Sequence, residues 1–296
     1  MPHPTTLPWL GHAIEIGAIL LFGWCWMRAP TERHDLRTDL LLATIYGWLL
    51  EALDLRIFGT YHYERATWWW IGAVPLYIPL LWSVIVHASM ALSDRAALPE
   101  WARPWLDGLL AVLIDVAIDA IAIRVGLWRW QIPLTEGWFG VPAGNLCAWM
   151  WVAAWYSGVT RFVRHRVWHR REPRWHRGLI PLVAYTGLFG SLYTIGLAMR
   201  LLAIETPNER LWAFAAHVAG FSGLVASAHG RAQVLAQRRV LPMSLMASRW
   251  AIHGSFACVL WASGAWKTAP LLIIVSGGSL VAEWWAQRWC QRAVSH

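Results

Sequence analysis

PWLGHAIEIGAILLFGWCWM, residues 8–27, places only one acid and one histidine among twenty positions. Twenty apolar residues wound as a helix, at about 1.5 Å per residue, reach across the roughly 30 Å hydrocarbon layer of a bilayer. Stretches of similar length recur near residues 38–59, 68–92, 105–128, 140–163, 179–203, 210–235, 246–265 and 268–289, the last two being the weakest. A chain crossing hydrocarbon many times must satisfy every backbone polar group within its own spans. The expected fold is therefore all-α: a polytopic integral membrane helical bundle of eight or nine transmembrane helices. No repeat or low-complexity linker interrupts it, so residues 1–296 read as a single membrane domain. Composition agrees, since 57% of the residues are hydrophobic and 14% are charged, where a soluble domain carries about 25% charge.

The net charge of +8 would suggest nucleic acid in a soluble protein. Here the arginines collect in the loops after odd-numbered spans and in the C-terminal tail, above all in RFVRHRVWHRREPRWHR, Arg161 to Arg177. That bias marks a cytoplasmic face, puts the N-terminus outside, and gives no reason to expect a nucleic-acid partner. The N-terminus lacks the basic segment and cleavage site of a signal peptide, so its apolar run reads as a retained first span. The 25 tryptophans suit the lipid-headgroup interface, where an apolar ring with one polar edge is stable. Tyr61, Tyr63, Trp68, Trp69, Trp70, Trp128, Trp130 and Trp138 fall at the outer interface; Trp101, Trp105, Trp168 and Trp175 fall at the inner one. Cys25, Cys147, Cys258 and Cys290 are far apart and show no redox or zinc spacing.

A belt does not account for the acids. DVAIDAIAIRVGLWRW, Asp115 to Trp130, places Asp115 and Asp119 four residues apart across the middle of the fourth span, on one helix face. Gly108, Ala111, Ala122 and Gly126 share that face, and small residues admit a neighbouring helix or a ligand, so the acids look into the bundle. Two carboxylates this close in a low-dielectric interior cannot both stay ionised, and the pair is expected to hold one proton between them. A neutral buried carboxylic acid is a usable proton donor. In the second span Glu51 and Asp54 are three residues apart, on a face with Thr44 and Gly47, and Glu51 comes to a depth similar to Asp119. Intramembrane acids mark functional sites by default.

Other spans add to this set. Pro75 and Pro79 are expected inside the third span, where they would bend it. Pro142 opens the fifth, which then carries Asn145 and Trp149 on one face. His165 and His169 form a lone HxxxH without the companion box of a membrane di-iron site; no metal site is expected. His87, His217 and His253 are isolated. Arg200, His217, His229 and Glu283 are polar groups of the C-terminal half that no spacing ties to the acids. No acidic pair for magnesium diphosphate, phosphate loop or nucleophile elbow is present.

Taken in order, Glu51 with FGTYHY, VPLYIPLLW, DVAIDAIAIRVGLWRW and WFGVPAGNLCAW resemble the carotenoid biosynthesis membrane family that includes the bisanhydrobacterioruberin and γ-carotene hydratases. The resemblance covers residues 45–150, with Ala120 and Ala148 where the family tends to have Pro and Gly. It implies a redox-independent hydro-lyase of a bacterial or archaeal cytoplasmic membrane that uses no cofactor. The implied partners are a lipophilic polyene or related isoprenoid, membrane lipid and neighbouring enzymes of the same pathway.

Hydrating a trisubstituted terminal alkene needs a positioned acid and a route for water to a tertiary cation. Asp115 or Asp119 is the candidate donor, with Glu51 or the other aspartate orienting the water and taking its proton. Asp54, Tyr61, Tyr63, Trp82, Trp128, Trp130, Asn145 and Trp149 are candidate substrate contacts, the aromatic faces suiting a cation. A cyclase, in which an internal double bond captures the same cation, shares every one of these residues. A proton-coupled transporter and a pigment-binding subunit are alternatives from other classes.

Overall fold

The computed structural model describes residues 8–29, 34–169, 174–229 and 243–292. Among them are nine α-helices: α1 (Pro8–Arg28), α2 (His34–Ile57), α3 (Tyr77–Ser93), α4 (Arg103–Ala122), α5 (Ala143–His169), α6 (Ile180–Leu201), α7 (Arg210–Ala228), α8 (Met243–Ala262) and α9 (Leu271–Arg292). Four short strands accompany them: β1 (Tyr61–Tyr63), β2 (Trp70–Ile71), β3 (Val74–Pro75) and β4 (Trp128–Trp130). The chain is an all-α bundle, and most helices lie within a few residues of the apolar stretches.

Three helical segments are long and apolar enough to cross a membrane by length and composition: Trp9–Arg28, Trp175–Leu201 and Arg210–Ala228. Elsewhere the mean hydropathy is lowered by charged residues that face inward: Asp39, Asp107, Asp115, Arg249 and Glu283 are all fully buried. Leu182, Tyr193, Leu201 and Trp212 of α6 and α7 point outward. Polar side chains inside and large apolar ones outside is the arrangement a hydrocarbon solvent selects.

Helix α4 is central, packing on α3, α5, α7, α8 and α9. Its approach to α5 depends on Gly108: a Cβ there would sit 2.6 Å from the Met150 carbonyl oxygen and 2.7 Å from Phe221 Cε1. Gly108→Val is expected to force α4 off α5 and to cost about 1–3 kcal/mol, read as a lower thermal midpoint of the detergent-solubilised protein. An unchanged midpoint would mean that the two helices do not touch there.

Two glycines shape the end of the bundle that carries the strands. Gly59 (φ +56°) ends α2, its N–H bonded to the Asp54 carbonyl at 3.1 Å. Gly126 (φ +73°) follows α4 where Leu127 N–H reaches the Ala122 carbonyl at 3.0 Å. Both are left-handed, a conformation glycine adopts without steric penalty, Gly59 just after α2 and Gly126 at the end of the turn that follows α4. Each turns the chain into an aromatic–basic–aromatic strand, Tyr61–His62–Tyr63 after α2 and Trp128–Arg129–Trp130 after α4. The strands pair antiparallel, Tyr61 opposite Trp130 and Tyr63 opposite Trp128.

Two expectations are corrected here. The third span does not begin at residue 68, because residues 70–75 form a β2–β3 hairpin turning at Gly72 (φ +68°). Pro75 is therefore in β3, and Pro79 sits in the first turn of α3, where the missing N–H removes no helical bond and no bend results. The basic run from Arg161 is also not simply a loop, since α5 continues to His169. Arg161 bonds Asp107 at 2.5 Å and Asp94 at 3.0 Å, and Arg164 and Arg177 (2.5 Å) close on Asp39. Three of its arginines thus lock α2, α3, α4 and α5 together. The side chains of Trp168 and His169 lie outside the described residues.

Candidate active site

Period-two alternation puts Tyr61, Tyr63, Trp128 and Trp130 on one face of the β1–β4 pair, and His62 and Arg129 on the other. On the outward side Arg129 meets Glu64 at 2.5 Å. The inward side roofs a cavity of about 740 Å³. These four aromatics are thus cavity wall and not interfacial belt. Of the others assigned to that interface, Trp68 and Trp69 are exposed, while Trp138 turns its indole N–H onto the Val116 carbonyl at 2.8 Å.

Beneath the roof, α2 and α4 each bring a carboxyl seven or eight residues before the glycine that follows them, Asp119 before Gly126 and Glu51 before Gly59. Glu51 and Asp54 of α2 and Asp119 of α4 line the cavity, as do Trp82 of α3 and Asn145 and Trp149 of α5. The structure thus brings Glu51, Asp54, Tyr61, Tyr63, Trp82, Asp119, Trp128, Trp130, Asn145 and Trp149 to one space. Asp115 is not part of the lining; it stands behind Asp119 and is fully buried. The depth of the pair also differs from the expectation. With α4 ending at Ala122, Asp119 occupies its last turn and Asp115 the turn before, so the pair lies toward the strand end and not across the middle.

The two acidic centres have different surroundings. Glu51 is the acceptor for three donors: the hydroxyls of Tyr61 and of Tyr63 (2.6 Å) reach Oε2, and the Trp82 indole N–H reaches Oε1 at 2.7 Å. Trp82 is held in turn by Trp149, the ring centroids 4.1 Å apart. Close approach of α2 to α3 makes this possible, since a Cβ on Gly47 would lie 2.8 Å from Trp82 Cβ. The aspartates instead share one neutral donor. The Asn145 amide nitrogen bonds Oδ2 of Asp119 and, at 3.2 Å, Oδ2 of Asp115. Asp115 Oδ1 is buried with no hydrogen-bond partner among the described residues.

Sequence reasoning missed Glu15 and Arg124, which fasten the segments that follow β1 and β4. Glu15 of α1 is fully buried and accepts the backbone N–H groups of Trp68 (2.8 Å) and Trp69 (3.0 Å). Arg124 donates to the carbonyls of Ala120 (2.8 Å) and Phe139 (2.7 Å), fastening the loop between β4 and α5. Glu15 had a legible signal, being the one acid in an otherwise apolar first span. Arg200 also lines the cavity, whereas Glu283, His217 and His229 do not. His165 is exposed, and among the described residues no group of three or more His, Cys, Asp or Glu side chains is placed to hold a metal ion.

No curated protein and no solved structure matches the sequence. Residues 14–206, from within α1 to just past α6 and including every cavity residue named above, match the family described as carotenoid biosynthesis protein. The chain, a membrane-helix protein with a role in carotenoid biosynthesis, belongs to that family.

Proposed function

We propose that the protein is a carotenoid hydratase, adding water to the terminal double bond of an acyclic carotenoid end group. The observation that carries this reading is the placing of two differently surrounded acidic centres, Asp119 with Asp115 and Glu51, around one aromatic-walled cavity. A carboxyl gripped by three O–H and N–H donors is satisfied as an anion. The buried aspartate pair, which shares the Asn145 amide and leaves Asp115 Oδ1 unpartnered, costs least with one proton held between its two carboxyls, and Asp119 is the member that faces the cavity. Acid and base are thereby separated by environment, the pattern of general acid–base pairs.

Asp119, facing the cavity, gives its proton to the less substituted alkene carbon; the π pair forms the new C–H bond and leaves a tertiary cation. The faces of Trp82, Trp128, Trp130 and Trp149 stabilise that cation by about 0.5–2 kcal/mol each where desolvated. A water oxygen then forms the C–O bond, and its released proton passes to Glu51. Return of that proton to Asp119 through water in the cavity restores the starting state, and the sum is alkene plus water. Asn145 positions the donor, and Asp115 adjusts its charge state from behind. Water capture is favoured over cyclisation because the cavity is continuous with polar and exposed groups at its strand end, Thr60, Gln131 and Arg200 among them. The polyene enters laterally from lipid. The protein is placed in a bacterial or archaeal cytoplasmic membrane with its N-terminus outside, beside other enzymes of the pathway.

Expression in a lycopene-producing host, with mass analysis of the pigments, tests this. The expected product is one or two water molecules heavier than lycopene. A new pigment of unchanged mass would replace the hydratase by a cyclase, and no new pigment would remove both.

A further inference from the structure

Past Asp54 and Phe58 the cavity continues along α6 to the turn between α6 and α7, where Arg200, Ile204, Pro207 and Arg210 line it. Arg56 at this end of the bundle is exposed and lies outside the cavity, and four further cations there have partners. Arg65 lies over Trp70, Lys267 lies over Trp266, Arg124 binds carbonyls and Arg129 pairs with Glu64. The guanidinium groups of Arg200 and Arg210 have no hydrogen bond, ion pair or ring contact with any described residue. Of the two acids in this turn, Glu209 is already engaged, its Oε2 accepting the backbone N–H groups of Glu205 (3.0 Å) and Thr206 (3.1 Å), and Glu205 has an exposed side chain that pairs with neither arginine.

Local helix electrostatics account for only one of the two. Arg200 lies in the last turn of α6, where the helix dipole favours a cation. Arg210 is the first residue of α7, where the dipole disfavours one. An unfunctionalised polyene offers neither guanidinium anything to bind. A phosphate does, because its oxygens match the planar fork of Arg in a charge-assisted pair. The surface leading away from the arginines is apolar and outward-facing: Tyr193, Leu197 and Leu201 on α6 are exposed. That surface suits an acyl chain.

We propose that Arg200 and Arg210 form a binding site for the phosphate head of an anionic bilayer phospholipid, seated at the mouth of the cavity with its acyl chain along α6. The site is separate from the acids and goes beyond the hydration chemistry; its test does not use product formation, so either conclusion can fail without the other.

The test is native mass spectrometry of the purified full-length protein released from vesicles of phosphatidylcholine and phosphatidylglycerol in equal amounts. The unsubstituted protein is expected to retain phosphatidylglycerol, and the double variant Arg200→Gln/Arg210→Gln to retain about tenfold less, as befits the loss of charged hydrogen bonds of about 1.4 kcal/mol or more. Arg56→Gln removes an exposed arginine of α2 outside the cavity and is expected to retain as much as the unsubstituted protein. Equal retention by the double variant overturns the site. A second arm offers geranylgeranyl diphosphate to the protein in neutral detergent. Arginine-dependent retention of that compound without retention of phosphatidylglycerol would overturn the assignment to a bilayer lipid.

Discussion

Asp119→Asn is expected to lower hydration at least about a hundredfold, the lower bound for losing a positioned general acid, with the thermal midpoint nearly unchanged. Asparagine keeps the shape of the side chain and an acceptor oxygen for the Asn145 amide, so the packing of α4 on α5 survives while the transferable proton does not. Asp115→Asn is expected to cost less, about tenfold, because Asp115 does not line the cavity and acts on Asp119 only through Asn145 and charge. Glu51→Gln should resemble Asp119→Asn in rate but not in stability. The three donors that converge on Glu51 lose a charged acceptor, and an amide nitrogen facing a donor adds a clash of like partners. The measurement is product per unit of folded protein in the lycopene-producing host, with expression and thermal midpoint taken on each variant. If Asp119→Asn were as active as the parent while Asp115→Asn were dead, the donor assignment would be reversed. If both were fully active, the cavity acids would not be proton donors and a pigment-binding role would take precedence.

Much of this arrangement was legible in the sequence. Long apolar stretches fix helices because hydrocarbon leaves the backbone few other solutions, and the nine helices among the described residues lie close to them. The acids were legible because a carboxyl inside such a stretch is costly unless it faces protein. The cavity-facing aromatics were only half legible: FGTYHY and VGLWRW could be assigned to an interfacial belt as readily as to a site. What decides is the pairing of β1 with β4, which depends on residues more than sixty positions apart. A local signal existed. Gly59 and Gly126 are each followed, one residue later, by aromatic–basic–aromatic, and period-two alternation after a glycine that follows a helix is the mark of a short strand. The start of α3 was misread because the tryptophans of residues 68–70 have helix-like hydropathy; Gly72 and Pro75 were the breakers that should have outweighed them. The buried ion pairs had no such signal, since Asp39 meets Arg164 and Arg177 across well over a hundred residues of chain. No spacing rule reaches that far.

The same limit hid the pair from which the largest stability effect is expected. Arg249 of α8 and Glu283 of α9 are both fully buried and form a bidentate pair, Nε to Oε1 at 2.7 Å and Nη2 to Oε2 at 2.6 Å. The remaining guanidinium donors reach the Ser89 hydroxyl of α3 at 2.9 Å and the Leu110 carbonyl of α4 at 2.8 Å, while Gln287 donates to Glu283 at 2.7 Å. One side chain therefore ties α8 and α9, which lie beyond the family-matched residues 14–206, to the helix carrying Asp115 and Asp119. Arg249→Met is expected to destabilise by about 3–5 kcal/mol, because it leaves the Glu283 carboxylate buried without a counter-charge. Glu283→Leu should cost a similar amount for the converse reason. The double variant Arg249→Met/Glu283→Leu is expected to recover most of that loss, since two apolar side chains of comparable volume suit the site once neither charge remains. Thermal midpoints of the four proteins in one detergent give the cycle, and a coupling of several kcal/mol separates an ion pair from two independent packing defects. A single variant within about 0.5 kcal/mol of the parent, the range of inconsequential surface changes, would show that α8 and α9 are held to the acid-bearing helices by apolar contacts alone. In that case Asp119 would keep its geometry with the C-terminal helices loosened, and activity would survive Arg249→Met. With the pair intact as a tie, activity is expected to fall alongside stability in Arg249→Met and to return with it in the double variant.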